Sequence, residues 1–326
     1  MLTKTGGKGV ALFAIFLSFS INAAAQTSAK SPATALPNAP EPLALTAVVT
    51  DKKGDLISGL RRENFQLFID KRPADIIDFR ENDDPLSVGI VFDVSGSVGG
   101  AQSVQTFLRN SQRALKTFLD ASNRSNQYFL MAFNIKSQLL MDWTSDTKAV
   151  VDGLSVLQPK GNTALYDACY LAIDKVQHGR NSKHVLIFIT DGQDNVSSYS
   201  LDQVRAALKA SDVLVYSVNF SGTGIEGSDL GMEGQKILNE LSLLSGGISF
   251  YRRLGKALTG SDATSIFQLI GNELQHQYTI VITPNISSDT GKWHKIEIKL
   301  KATASDPDEM KHFTVRTREG FYVNHL

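Results

Sequence analysis

A single cysteine, Cys169, stands among 326 residues. It has no partner within the chain, which excludes an internal disulfide and a cysteine-built zinc site. Charge of one sign is missing too: 33 lysines and arginines face 33 aspartates and glutamates. Without a basic excess, nucleic acid is not an expected partner. There is no phosphate-cradling loop with its Lys-Ser/Thr pair and no G-x-S-x-G nucleophile elbow. The histidines show neither an i,i+4 pair nor H-E-x-x-H. No apolar run reaches the roughly 20 residues that cross a bilayer, so the mature chain is expected to carry no transmembrane span. What is present is ordinary: 42% hydrophobic and 20% charged residues, enough length for about two domains, and too much apolar content for long disorder.

The amino terminus reads as a targeting signal. Lys4 and Lys8 precede the apolar run Val10 to Ile21, and Ala23 and Ala25 form a small-residue cleavage pattern. A secretory signal peptide over 1–25 is expected, with the mature protein secreted or periplasmic. Residues 26–42, QTSAKSPATALPNAPEP, are rich in Ala, Pro, Ser and Thr and hold no aromatic residue. They read as a flexible or polyproline-like linker.

Three regions follow. Residues 43–84 read as strands: LALTAVVTD, a turn at DKKGD, then FQLFID and IIDFRE flanking KRPAD as a hairpin connection. Residues 85–277 alternate strands and helices. LSVGIVFDV, QYFLMAFN, HVLIFITD and DVLVYSVNF are nearly continuous apolar runs, as strands covered on both faces require. SQLLMDW reads as an antiparallel edge strand. Amphipathic stretches separate the runs: Val104 to Leu119, Ala164 to Gln177, Leu201 to Ala210, Gly234 to Leu244, and a last helix near Ser261 to Gln277. Residues 278–326 return to strands. The expected fold is α/β: a doubly wound, mostly parallel sheet inserted in a small β-sandwich-like domain built from both chain ends. Either β arm alone is too small to bury a good core.

The chemistry is expected where the buried strands end. VFDVSGSVGG places Asp93, Ser95 and Ser97 in D-x-S-x-S at the end of one strand. GNTALYDA places Thr163 in a loop before a helix, and HVLIFITDGQDN places Asp191 at the end of another strand. In doubly wound sheets, ligands bind outside the carboxyl ends of strands, near a switch in strand order. All five residues offer oxygen, which suits a hard cation such as Mg²⁺, with Mn²⁺ and Ca²⁺ as alternatives. Each motif alone could equally cap a helix, since Ser and Asp are good N-caps. Asp167 and Asp194 read as helix caps or loop supports outside the site.

In combination, DVSGS, GNTALYD and ITDGQDN resemble the metal-ion-dependent adhesion site of von Willebrand factor type A domains. With the flanks VTDKKGDLISGL, RRENFQLFIDKRPADIIDF and QYTIVITP…VRTREGFYV, the chain resembles the bacterial, acidobacterial-type VWFA-related proteins. The resemblance implies that Ser95, Ser97 and Thr163 contact the metal directly, while Asp93 and Asp191 more often act through water or switch their contacts. It implies a non-enzymatic binding module in which a partner protein's carboxylate completes the metal's coordination. It also implies a last helix, near Ser261 to Gln277, that can move on ligation. A structural envelope scaffold with a structural metal is the alternative. A metal-assisted hydrolase is a third class, and no His, Lys or Glu is placed by motif as its base. Gly222 to Gly227 matches G-x-G-x-x-G but lacks an immediately following helix, so a mobile loop is expected there. Cys169 is expected to pack in the core as an inert thiol.

Overall fold

A computed structural model of the chain describes residues 42–96, 104–219, 229–251, 260–284, 291–301 and 309–323. The expected signal peptide, the linker up to residue 41 and the Gly222–Gly227 motif lie outside these residues. In chain order, β1 is Leu43–Thr50, β2 Phe65–Ile69, β3 Arg72–Ala74, β4 Ile76–Asn82 and β5 Leu86–Asp93. Next come α1 Val104–Ala121, β6 Gln127–Phe133, β7 Ser137–Thr144, α2 Thr147–Gly153, α3 Leu165–Gln177 and β8 Lys183–Ile189. Then follow α4 Leu201–Ala210, β9 Leu214–Val218, α5 Asp229–Ser245, β10 Ser249–Phe250 and α6 Gly260–Gln275. The chain closes with β11 Gln277–Ile282, β12 Trp293–Leu300, β13 Thr314–Thr317 and β14 Gly320–Tyr322.

The central sheet has six strands in the order β10-β9-β8-β5-β6-β7. β7 pairs antiparallel with β6 at the edge, as SQLLMDW suggested, and the other pairings are parallel. Every residue of β5 and β6 is buried, because helices cover both faces. Val88, Ile90 and Phe92 pack with Phe107, Phe118 and Phe267 of α1 and α6. Val91 packs on the other face with Leu165, Ile173, Leu208 and Leu241 of α3, α4 and α5. A strand with two apolar neighbours at every position has no polar face, hence the unbroken apolar runs.

Gly89 shows how tightly this centre is filled. A Cβ there would lie 2.3 Å from Cζ of Phe129 and 2.6 Å from Cδ2 of Leu186. Gly89→Val is therefore expected to cost about 1–3 kcal/mol by overpacking. A urea denaturation midpoint equal to that of the wild type would contradict this packing.

The two chain ends form two four-stranded antiparallel sheets, β13-β1-β11-β4 and β14-β12-β2-β3. β1 and β11 pair from Leu43↔Ile282 to Ala47↔Tyr278, and β2 and β12 pair from Phe65↔Leu300 to Ile69↔Ile296. Leu45, Val49, Leu67, Tyr278, Ile280, Ile296 and Ile298 share one core between the sheets. Each sheet thus needs strands from both ends, and the α/β sheet lies between them in sequence.

Two local expectations are corrected. FQLFID and IIDFRE do not form one hairpin across KRPAD: β2 and β4 belong to different sheets. The turn is tighter, at Asp70 and Lys71, both with positive φ, and it feeds β3, which pairs with β2 at the sheet edge. Pro73 sits in that edge strand, where its missing N–H costs no ladder bond. The chain then crosses to the other sheet at Asp75. The second correction concerns α5, which begins at Asp229 rather than near Gly234.

Candidate metal centre

The order of the central sheet creates a switch point. From β5 the chain passes through α1 to β6 on one side, and later through α3 to β8 on the other. The crevice between β5 and β8 opens at their carboxyl ends, where doubly wound sheets bind ligands. Asp93 is the last residue of β5, and Asp191 lies just past Ile189, the last of β8. Phe92 pairs with Ile189 across these two strands, so both carboxylates leave the sheet at the same level.

Asp93 is fully buried. Its Oδ1 accepts from the Ser95 amide at 2.8 Å, and its Oδ2 accepts from the Thr190 hydroxyl at 2.7 Å. The Thr190 hydroxyl in turn accepts from the Gly192 amide at 3.1 Å. Burial pushes the Asp93 carboxyl up to about 6, and the negative charge of Asp191 adds to the rise, against hydrogen bonds from Ser95 and Thr190. Two carboxylates within reach of each other's field, away from water, disfavour their own ionisation; a cation between them reverses that balance.

Thr163 comes from the loop before α3 and is also buried. Its amide donates to Oδ1 of Asn195 at 2.9 Å, and its carbonyl accepts from the amides of Asn195 at 3.0 Å and Val196 at 3.3 Å. Its hydroxyl bonds to no described residue. The same loop is tied to the end of β5: Gly96 donates to the Gly161 carbonyl at 2.9 Å, and Lys160 to the Val94 carbonyl at 2.8 Å. Asp191 spends Oδ1 on the Gln193 amide at 3.1 Å. Main-chain bonds therefore hold the three loops in place and leave Thr163 Oγ1 and Asp191 Oδ2 without a described partner.

The structure brings Asp93, Ser95, Thr163 and Asp191 to one sheet edge. Ser97 lies outside the described residues. Asp167 and Asp194 serve as braces: Asp167 Oδ1 accepts from the amides of Ser198 and Tyr199, both at 2.8 Å, and Asp194 Oδ1 accepts from the Tyr166 amide at 3.2 Å and from the Ser197 hydroxyl. Among the described residues no group of three or more His, Cys, Asp and Glu could hold a metal ion. A cation at this edge would rest on two carboxylates and on hydroxyls, with water completing the shell. That donor set fits Mg²⁺, which keeps several waters and uses few carboxylates. Cys169 is buried, and burial followed by the negative charge of Asp194 raises its thiol, which disfavours the thiolate.

Thr190 escaped the sequence reading. Its only signal was position, one residue before Asp191 at a strand end. Thr190→Val is expected to remove the donor to Asp93 Oδ2 and cost about 1–3 kcal/mol, the usual penalty for orphaning a buried acceptor. Thermal denaturation of the metal-free protein measures it; an unchanged midpoint would show that Asp93 does not depend on this bond.

Residues 88–193 match the family model of the von Willebrand factor type A domain, a stretch that contains Asp93, Ser95, Thr163 and Asp191. The match spans less than half of the chain, and the β-strands on either side of it lie outside the matched residues. No curated protein matches the chain. Several solved structures are similar. An aerotolerance-related membrane protein from Bacteroides fragilis is 18% identical, with 58% of this chain and 98% of that chain covered and a TM-score of 0.45. The PilB minor pilin from Streptococcus sanguinis is 14% identical, with coverages of 60% and 62% and a TM-score of 0.46. The vWF domain of the type V pili tip protein Mfa5 from Porphyromonas gingivalis is 13% identical, with coverages of 60% and 97% and a TM-score of 0.46.

Proposed function

We propose that this protein is a secreted or periplasmic binding protein in which a divalent cation recognises an acidic group on a partner protein. Asp93, Ser95, Ser97, Thr163 and Asp191 hold the cation, Mg²⁺ before Mn²⁺ or Ca²⁺. The observation that carries this reading is the pairing of Asp93 and Asp191 in a buried crevice beside the uncommitted Thr163 hydroxyl. Neutral hydroxyl ligands leave the cation most of its positive charge. A carboxylate from the partner displaces one water and adds a charge-assisted contact. The sequence places no separate His, Lys or Glu in the crevice by motif as a base, and this favours binding over turnover. Residues 1–25 direct export and 26–42 form a linker. Residues 43–84 and 278–326 are the two arms of a β-domain around the binding domain, 85–277.

Pull-down from native envelope extract, in Mg²⁺ and in EDTA, tests this. Capture that needs Mg²⁺ and is lost in Ser95→Ala is expected. Capture that is equal in EDTA would favour a scaffold with a structural metal, and turnover of a substrate panel would favour an enzyme.

A further inference from the structure

A second cavity, of about 440 Å³, lies at the opposite edge of the central sheet. Lys183 and His184 open β8, Leu214 opens β9 and Pro85 precedes β5; all four line this cavity. Its other wall is the outer face of the sheet β13-β1-β11-β4. In β11, Tyr278, Ile280 and Ile282 point into the sandwich core, so Gln277 and Thr279 point the other way, into the cavity. Thr279 lies beside Thr46 of β1 and Arg80 of β4 in the same row, and both of these also line the cavity.

Charge is unbalanced here although the chain as a whole is neutral. Arg80 is paired with Asp78 at 3.1 Å and Lys183 with Asp84, while Arg180 and Arg318 face Asp212. Lys183 sits 3.3 Å from Asp84 with its side chain 12% exposed. Arg318 hydrogen-bonds only to carbonyls, those of Gly320 and Lys209, and has no carboxylate within ion-pair distance among the described residues. Three buried polar atoms of the wall residues are also unused, Thr279 Oγ1, His184 Nε2 and Gln277 Nε2. Thr279 is 5% exposed, yet its Oγ1 has no partner. His184 uses Nδ1 on Asp212 at 3.0 Å, and its Nε2 has no partner. Buried polar atoms without partners are rare in folded proteins, and a cluster of them in an electropositive cavity calls for a ligand.

We infer that this cavity binds a small organic oxyanion, a phosphate ester or a dicarboxylate, between the β-sandwich and the α/β sheet. The anion accepts hydrogen bonds from Thr279 Oγ1 and from Nε2–H of His184 in its imidazolium form, whose Nδ1–H is donated to Asp212, and it neutralises the charge of Arg180 and Arg318. The volume exceeds that of a bare phosphate, leaving room for an organic body. Because the walls come from both chain ends and from the α/β region, the ligand joins the two. This site is independent of the metal centre, which occupies the other sheet edge.

Calorimetry on the full chain tests the inference, with inorganic phosphate and succinate titrated at constant ionic strength and chloride as the control. Saturable binding of one anion, and none of chloride, is expected; phosphate alone assigns the ester class, and succinate alone the dicarboxylate class. Thr279→Val, which keeps the side chain's shape, is expected to weaken binding at least tenfold. Arg180→Gln, at the exposed rim, is expected to weaken it at least threefold without affecting folding. Mg²⁺ binding should be the same in both variants as in the wild type, which separates this site from the metal centre. No saturable binding of either anion, or equal affinity in wild type and variants, would overturn the inference.

Discussion

Arg316→Met is expected to lower stability by about 3–5 kcal/mol, the range for breaking a buried ion pair by removing one partner. Glu273 on α6 is 6% exposed. Its Oε1 accepts from Arg316 of β13 and from the hydroxyl of Tyr216 in β9. Arg316 also donates Nε to the Gly246 carbonyl at 2.8 Å. Tyr216 is itself fully buried, and burial followed by the Glu273 charge lifts its hydroxyl well above the ordinary value. Without Arg316, the Glu273 carboxylate stays in the interior with no cation. The network joins the parallel sheet, the last helix of the α/β region and the β-sandwich, so its loss should loosen all three together. Replacing both charges, Glu273→Leu with Arg316→Met, should cost less than Arg316→Met alone, because the uncompensated charge is then gone. Urea denaturation of the two variants decides it. A loss under about 1 kcal/mol for Arg316→Met would mean that water reaches Glu273.

Gly192→Ala is expected to be nearly as damaging, at about 2–4 kcal/mol. Gly192 has φ +83°, a left-handed conformation that costs other residues about 1–2 kcal/mol. An added Cβ would lie 2.5 Å from the carbonyl oxygen of Gly234 and 2.7 Å from its carbon. Both are backbone atoms of α5, so neither can turn aside, and an overpacking cost of about 1–3 kcal/mol adds to the strain. Relief would come from moving the loop, which carries Asp191 and whose Gly192 amide donates to the Thr190 hydroxyl. Mg²⁺ affinity should therefore fall in Gly192→Ala although no proposed ligand is changed. An unaltered denaturation midpoint would contradict the close approach of this loop to α5.

These two sites show where the sequence was readable and where it was not. β5, β6, β8 and β9 were legible because burial on both faces leaves a run with no polar position. The joining of the chain ends was legible because neither arm could bury a core alone. The start of α5 was hidden by Gly231 and Gly234, which weaken a helical pattern. Yet a Cβ at Gly234 would lie 2.8 Å from the Asp191 carbonyl oxygen, so packing demands the glycine that obscured the helix. Pro73 suggested a turn because proline usually marks one, but an edge strand accepts it equally well. Asp93, Ser95 and Asp191 could be placed at one edge from strand ends, and Thr163 from the loop before a helix. Thr190 could not, because its bond to Asp93 depends on the β5–β8 register, between residues 97 apart in sequence. The cavity proposed for an oxyanion was invisible for the same reason, since its walls come from both chain ends and from β8 and β9 between them.

The most direct test of the central claim is calorimetric titration of Mg²⁺ into the wild type and into Ser95→Ala, with circular dichroism to check the fold. Ser95 follows β5 and is buried beside Asp93. Alanine keeps the backbone amide that donates to Asp93 and removes the hydroxyl alone. The account predicts one site with saturable Mg²⁺ binding in the wild type, at least tenfold weaker binding in Ser95→Ala, and identical spectra. Equal binding in both proteins, or no wild-type binding at millimolar Mg²⁺, would contradict it and leave Asp93, Ser95, Thr163 and Asp191 as a set of hydrogen-bonded loop braces.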